Sequence, residues 1–323
     1  MKVVVTGASG LLGRAVLAAF TQAGHDVRGT AFSRAEGDLV KLDLQDEQAV
    51  RAFLGEFAPE VVVHCAAERR PDAVEQNPEA ANHLNVLVPS LLSSLSLGST
   101  TSTSRRVSFQ VFLLNPFFLI YISTDYVFNG NAPQPDGYEP LDDPAPTNAY
   151  GESKLRGEDR VLVGLKDGGK GCVLRVPVLY GEAESHSESA INTLVDSTRK
   201  AASGSSVKMD NWATRYPTYV GDIARVLVEL ADKSQNQQIP AVLHFSAQQL
   251  FTKYTICQLF ARLHNPPLDL CSGGLVSVDV GPGPGETIRP RDCHLSNREI
   301  ENLGINTKTV DFESWWKQYL SKA

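Results

Sequence analysis

The sequence has 323 residues, 42% of them apolar, and a net charge of −7. That length suffices for one large domain or a domain with a smaller lobe, and the acidic balance without a long basic run excludes a surface built for nucleic acid. No uninterrupted apolar run reaches the roughly 18 residues that a membrane span needs, since the nearest approach, "FQVFLLNPFFLIYIS" (109–123), is broken by Asn115 and Pro116.

In chain order, "KVVVTG" (2–7) is a short β-branched run, the pattern of a strand buried on both faces. It stands at the head of the sequence, where a signal peptide is not expected. "LLGRAVLAAFTQAG" (11–24) has helical periodicity and stops at Gly24. "HDVRGTAF" (25–32) reads as a second strand, "DEQAVRAFLGEF" (46–57) as a helix and "PEVVVHCAA" (59–67) as a third strand. "FLIYIS" (118–123) and "GCVLRVPVLYG" (171–181) read as further core strands, with the helix "AYGESKLRGEDRVLVGL" (149–165) between them. This alternation predicts an α/β fold, a Rossmann-type doubly wound parallel sheet with helices on both faces. After residue 182 the order loosens into helical pieces (190–202, 221–233, 252–263) and Gly/Pro-rich loops such as "GPGPGETIRPRD" (281–292). The expected organisation is a cofactor-binding domain over 1–182 and a smaller α/β lobe over 183–323, intertwined with it and supplying substrate or partner contacts.

Residues 87–118 break the pattern. They fall where a crossover helix should join two parallel strands, yet they hold eight serines, no alanine and no acidic residue. Poor helix formers without a periodic face predict an unusual loop, or sequence foreign to the working protein. The five cysteines, Cys65, Cys172, Cys257, Cys271 and Cys293, include no C-x-x-C pair. They read as reduced thiols of a cytoplasmic protein. No His, Cys and Asp cluster has metal-ligand spacing.

"TGASGLLG" sets Gly7, Gly10 and Gly13 directly after a strand and at the opening of a helix. Glycines there allow a tight turn and close approach of backbone to a pyrophosphate on the helix N-terminus. Thr6, Ser9, Leu11 and Leu12 complete this dinucleotide cradle, and Cys65, Ala66 and Ala67, after the third strand, flank it. The second strand runs into Phe32, Ser33 and Arg34 rather than an acidic residue. An arginine there pairs with a 2′-phosphate that a carboxylate would repel, so NADP(H) is expected. The competing reading is a solvated Arg34, with Glu36 or Asp38 reaching the ribose. Asp43 and Leu44 lie where an adenine amino group would meet a carboxylate, although Asp43 reads equally well as a loop residue.

"NAYGESK" (148–154) puts Tyr150 four residues before Lys154, on one helical face. A phenol titrates near 10 when unperturbed, and a nearby ammonium stabilises its phenolate. Lysine can also hold a ribose hydroxyl. "YISTDYVF" ends a strand at Ser123-Thr124-Asp125, and a hydroxyl there sits at the ligand crevice of a parallel sheet.

"GASGLLG", "ISTDYVFNG", "YGESK" and "RVPVLYG", in this order, resemble the extended short-chain dehydrogenase/reductase family, and "STDYVF", "NAYGESKLRGE" and "RPRDCHLSNREIENLGI" its dTDP-4-dehydrorhamnose reductase branch. The resemblance implies Thr124 as a carbonyl-polarising hydroxyl, Tyr150 as the acid–base residue and Lys154 as the cofactor anchor. It also implies that Pro177 and Leu179 of "RVPVLYG" border the nicotinamide. Residues 62–86, with "VVHCAAERRPD", and 209–226, "MDNWATRYPTYVGDIARV", resemble the regulatory beta-subunit family of methionine adenosyltransferases more narrowly. That implies NADP(H) binding, the methionine adenosyltransferase catalytic subunit as partner, and modulation of S-adenosylmethionine synthesis. Tyr150 and Lys154 would then organise the cofactor pocket. The alternative is an NADPH-dependent reductase of a nucleotide-linked 4-keto sugar, and a weaker one an epimerase or dehydratase.

Arg69 and Arg70 beside the third strand end, and Arg215, Arg289 and Arg291 further on, are candidate contacts for an anionic ligand; Arg289 has Glu286 and Asp292 as local partners instead. His64 adjoins the crevice but reads first as structural. Trp315 and Trp316 read either as interface anchors or as the core of a terminal helix.

Overall fold

The structure, a computed structural model, describes residues 1–98, 114–131, 136–270 and 274–322. Seven strands form one sheet: β1 Lys2–Thr6, β2 Asp26–Ala31, β3 Val40–Lys41, β4 Val61–His64, β5 Phe118–Thr124, β6 Lys170–Val176 and, later in the chain, Val242–His244 at one edge. Every adjacent pair is parallel. From that late edge strand the order is β6, β5, β4, β1, β2, β3, so the winding direction reverses between β1 and β4. Ligands bind at such a switch point, beyond the carboxyl ends of the strands.

Strand alternation sorts the valines. Val3 and Val5 face α1 (Leu11–Gln22) and a helix at Val220–Ser234, while Val4 faces α2 (Glu47–Phe57), the helix at Val88–Ser96 and the one at Ala149–Lys166. Both faces are therefore covered, which is why the strands are uniformly apolar. Asp46 caps α2 by accepting from the Ala49 amide at 3.0 Å. A separate cluster, with Tyr180, Ile191, Leu194, Ile256, Phe260 and Trp316, packs the later part of the chain beside two small parallel strand pairs. Trp316 is fully buried and Trp315 nearly so, against Tyr180 and Phe312, so both serve the core of the helix Phe312–Leu320.

Two expectations change. Residues 88–96 are helical and occupy the crossover position, with Val88, Leu92 and Leu95 in the core. Their serines fit because they are small and satisfied: Ser93 donates to the Val161 carbonyl at 3.2 Å and Ser96 to the Ser93 carbonyl at 2.7 Å. Tertiary packing thus overrides weak propensity; residues 99–113 of the same stretch lie outside the described residues. "GCVLRVPVLYG" is two strands rather than one. Pro177 cannot donate to the ladder, so β6 ends at Val176 and Leu179–Tyr180 pairs instead with Thr218–Tyr219. No described helix is long and apolar enough to cross a membrane, and Cys65, Cys172, Cys257 and Cys293 are free thiols.

Candidate cofactor and acid–base site

The glycine loop leaves β1 beside the switch point. Gly7 has φ +67°, and a Cβ there would lie 2.8 Å from the Cα of Ala66. At Gly13 a Cβ would overlap the Gly7 carbonyl and approach the Cα of Ala8 to 2.8 Å. Both positions exclude a side chain on geometric grounds. The Ala8 amide donates to the Thr30 carbonyl and the Cys65 amide to that of Thr6, tying the loop to β2 and β4. No side chain caps α1 at Gly10. An uncapped helix start over a glycine cradle fits a pyrophosphate, which these amides would hold. Thr6 is buried and bonded through Oγ1 to Nδ1 of His64 at 2.7 Å. Burial, reinforced by the charge of Lys154, drives the His64 imidazole down to about 3, so it is a neutral packing group.

At the adenosine end, Phe32, Ser33 and Arg34 are exposed after β2, as expected. Arg34, however, is not free. Its Nη1 donates to Oε2 of Glu184 at 3.0 Å and to Oε1 of Glu188. Arg14, on α1, donates to both oxygens of Glu188, through Nη1 at 3.2 Å and through Nη2. Burial alone would raise the Glu188 carboxyl; the hydrogen bonds from Arg14 and Arg34 overcome it and bring it down to about 2. Beside this cluster lies a cleft of about 560 Å³, bounded by Ala8, Ser9, Arg14, Arg34, Glu36 and Glu184. Asp43 accepts from the Gln45 amide at 2.9 Å and shapes its turn, while Leu44 is buried in the core. Ala66 packs on Gly7, and Cys65 and Ala67 are half-buried beside it. Burial raises the Cys65 thiol to about 12, so it stays protonated.

Tyr150 and Lys154 stand on one helix, Ala149–Lys166, beside the end of β5. Asn148 caps their helix, accepting from the Gly151 amide at 2.9 Å and donating to the Ile288 carbonyl at 2.9 Å. Tyr126 packs edge-on against the Tyr150 ring at 5.9 Å, while the Thr124 hydroxyl donates to Asp125 Oδ1 at 3.0 Å and accepts from the Tyr126 amide at 3.2 Å. Lys154 points beneath them: Nζ donates to the Ile122 carbonyl at 2.8 Å and sits 4.1 Å above the Tyr121 ring. Burial lowers the Lys154 ammonium to about 7, against the opposing charge of Glu158. Burial also pushes the Tyr150 phenol well up, the nearby Thr124 hydroxyl opposing it only in part. Lys154 Nζ is directed at the Ile122 carbonyl, and burial keeps the Tyr150 phenol neutral. Asp125, hydrogen-bonded to Thr124 at 3.0 Å, is raised to about 7 by burial.

The remaining candidates spread around this centre. Arg69 reaches the Ser187 carbonyl at 3.1 Å, and Arg70 pairs with Glu68 on the surface. Arg215 is buried, donating to the Thr214 and Pro290 carbonyls, and one of its nitrogens has no hydrogen-bond partner. Arg289 pairs with Asp72 at 2.9 Å rather than with Glu286 or Asp292, because the fold brings the helix Pro71–Gln76 alongside it. Pro177 is buried and Leu179 half-buried beyond β6. The sequence reading missed Arg14, Glu184 and Glu188. The acid-rich "EAESHSE" (182–188) directly after "RVPVLYG" was the available signal.

A family model described as the RmlD substrate binding domain matches residues 1–323. The chain belongs to that family. It is 38% identical over 314 residues to a protein of Danio rerio named methionine adenosyltransferase 2 subunit beta, covering 97% of this chain and 88% of that protein. A probable low-salt glycan biosynthesis reductase of Haloferax volcanii is 32% identical over 317 residues, covering 96% and 95% of the two chains. Among solved structures, a dTDP-4-dehydrorhamnose reductase from Bacillus anthracis, in complex with NADP, superposes with a TM-score of 0.76 at 21% identity over 100% of this chain and 98% of its own. A UDP-glucose 4-epimerase from Thermotoga maritima gives 0.78 at 18% identity, covering 100% and 99%. These structures establish the shared fold.

Proposed function

We propose that the protein is a cytoplasmic regulatory subunit that binds NADP(H) and the methionine adenosyltransferase catalytic subunit, modulating S-adenosylmethionine synthesis. The observation that carries this reading is the 38% identity to a named beta subunit along 97% of the chain. Residues 1–182 are assigned to the cofactor and 183–323 to partner contacts. The loop amides at Gly7 to Gly13 would bind the pyrophosphate, Arg34 and Arg14 would face the adenosine end, and Lys154 would hold the nicotinamide ribose. When bound, the cofactor supplies a hydride donor or acceptor. A Lys154 whose Nζ donates to the Ile122 carbonyl fits a pocket that organises the cofactor.

The second reading, an NADPH-dependent reductase of a nucleotide-linked 4-keto sugar, is favoured by the placing of the Thr124 hydroxyl at the end of β5 on the side of Tyr150, whose phenol burial keeps neutral. A hydroxyl and a neutral phenol converging on one point can polarise a carbonyl and donate a proton to it. Affinity capture on the immobilised chain with NADP+ present separates the two. Recovery of the catalytic subunit supports the regulatory reading. Its absence, together with NADPH oxidation on a dTDP-4-keto sugar that Tyr150→Phe abolishes, replaces it with the reductase.

A further inference from the structure

Three arginines, Arg14 on α1, Arg34 after β2 and Arg69 after β4, converge on one short segment, residues 182–188. Arg14 donates to the Ser9 carbonyl at 2.6 Å, to the Glu182 carbonyl at 3.4 Å and to both oxygens of Glu188, and it lies 3.5 Å from Glu184. Arg34 donates to Glu184 and Glu188. Arg69 donates to the Ser187 carbonyl. The segment closes on itself as well, with the Glu184 amide donating to Glu188 Oε2 at 3.2 Å. Glu188 is 8% exposed, so its carboxylate is enclosed by these groups, and the cleft beside the glycine loop is bordered by Arg14, Arg34 and Glu184 together.

We infer that Glu188, assisted by Glu184, is a specificity-determining residue for the dinucleotide: an internal counter-ion that holds Arg14 and Arg34 until a 2′-phosphate displaces it. The inference rests on the cofactor reading proposed above. A carboxylate and a phosphate seek the same guanidinium edges, with charge-assisted hydrogen bonds of the same kind. The phosphate carries roughly −1.5 to −2 near neutrality against −1 for a carboxylate, so it wins the exchange but only after undoing the clasp. NAD+, with a 2′-hydroxyl, has nothing to offer the arginines and binds with the clasp closed. The clasp therefore reduces the apparent affinity for NADP+ selectively, as any competing closed population does. Displacement of Glu188 also loosens residues 182–188 from α1 and from the loop after β2, which makes the position of this segment a report of which dinucleotide is bound.

The test is calorimetric titration of the full chain with NADP+ and with NAD+, comparing wild type, Glu188→Gln and Glu184→Gln. Glutamine keeps the shape of each side chain and its acceptor oxygen while removing the charge, and thermal unfolding checks that each variant is folded. Glu188→Gln should tighten NADP+ by at least about fivefold and leave NAD+ within twofold, with a smaller change of the same sign for Glu184→Gln. Amide exchange over 182–188 should speed up with NADP+ and stay unchanged with NAD+. An unchanged ratio of the two affinities, or NADP+ binding that weakens in Glu188→Gln, overturns the inference while leaving the cofactor reading standing. Failure of the wild-type chain to bind either nucleotide overturns both.

Discussion

Arg175 and Glu158 form a buried ion pair beneath the acid–base residues, and its removal gives a sharp test of the packing argument. Their side chains are 3% and 1% exposed, joined by Nε to Oε1 at 3.0 Å and Nη2 to Oε2 at 2.7 Å. Arg175 also donates to the Pro140 carbonyl at 3.3 Å, meets Nε2 of His244 at 3.3 Å and stacks 5.0 Å from the Phe128 ring. Glu158→Gln leaves a buried guanidinium without its counter-charge, which costs about 3–5 kcal/mol. In a chain of this size that lowers Tm by roughly 4–7 °C. The double variant Glu158→Met, Arg175→Met removes both charges and keeps volume, so it should recover to within about 2 kcal/mol of wild type. Urea unfolding followed by circular dichroism reads these two and the singles that close the cycle, Glu158→Met and Arg175→Met. A single-variant loss under about 1 kcal/mol, or a double variant whose loss is the sum of the singles, would refute the claim that the pair is desolvated and coupled. Glu158 also favours the charged form of Lys154, so the single variant should push that ammonium further down.

Other outcomes follow from the same geometry. Gly13→Ala should abolish measurable NADP+ binding in a calorimetric titration, because its Cβ collides with loop backbone that has no freedom to move. Leu92→Ala should cost about 2–5 kcal/mol by chemical unfolding, since Leu92 is 1% exposed in the core; a loss near zero would show that 88–96 does not pack as a crossover helix. His64 and His244 are both held neutral by burial, down to about 3, whereas each titrates near 6.5 when unfolded. Below 6.5 the unfolded chain binds more protons, so their contribution to stability should be lost as pH falls from about 6.5 toward 3. Stability profiles of wild type and His244→Gln over that range check the sign: a wild-type curve no steeper than the variant's contradicts it.

Which parts were legible follows from how local each signal was. The glycine loop, the capped helix carrying Tyr150 and Lys154, and the strand ending at Thr124 are each specified within about ten residues, and each stands where the sequence put it. The helix at 88–96 was not readable, because its fitness depends on what lies opposite. Gly164, on the helix Ala149–Lys166, leaves room against Ser93, and the serine hydroxyls bond to nearby carbonyls. A propensity scale sees only a proline, a β-branched residue and four serines among its nine residues. The fate of Arg34 was hidden for a related reason. Its partners lie 150 and 154 residues away in sequence, and only the fold brings "EAESHSE" over the end of β2. Arg289 repeats the lesson at 217 residues from Asp72. Local chemistry announces the glycine loop; the charges around it come from distant sequence.

The most direct test of the regulatory account is sedimentation of the purified chain mixed with the methionine adenosyltransferase catalytic subunit and NADP+, with the kinetics of S-adenosylmethionine formation measured on the same mixture. The account predicts a stoichiometric complex with altered kinetics, equally formed by Tyr150→Phe. Two separate boundaries and unaltered kinetics, alongside Tyr150-dependent NADPH oxidation by the chain alone, would contradict it.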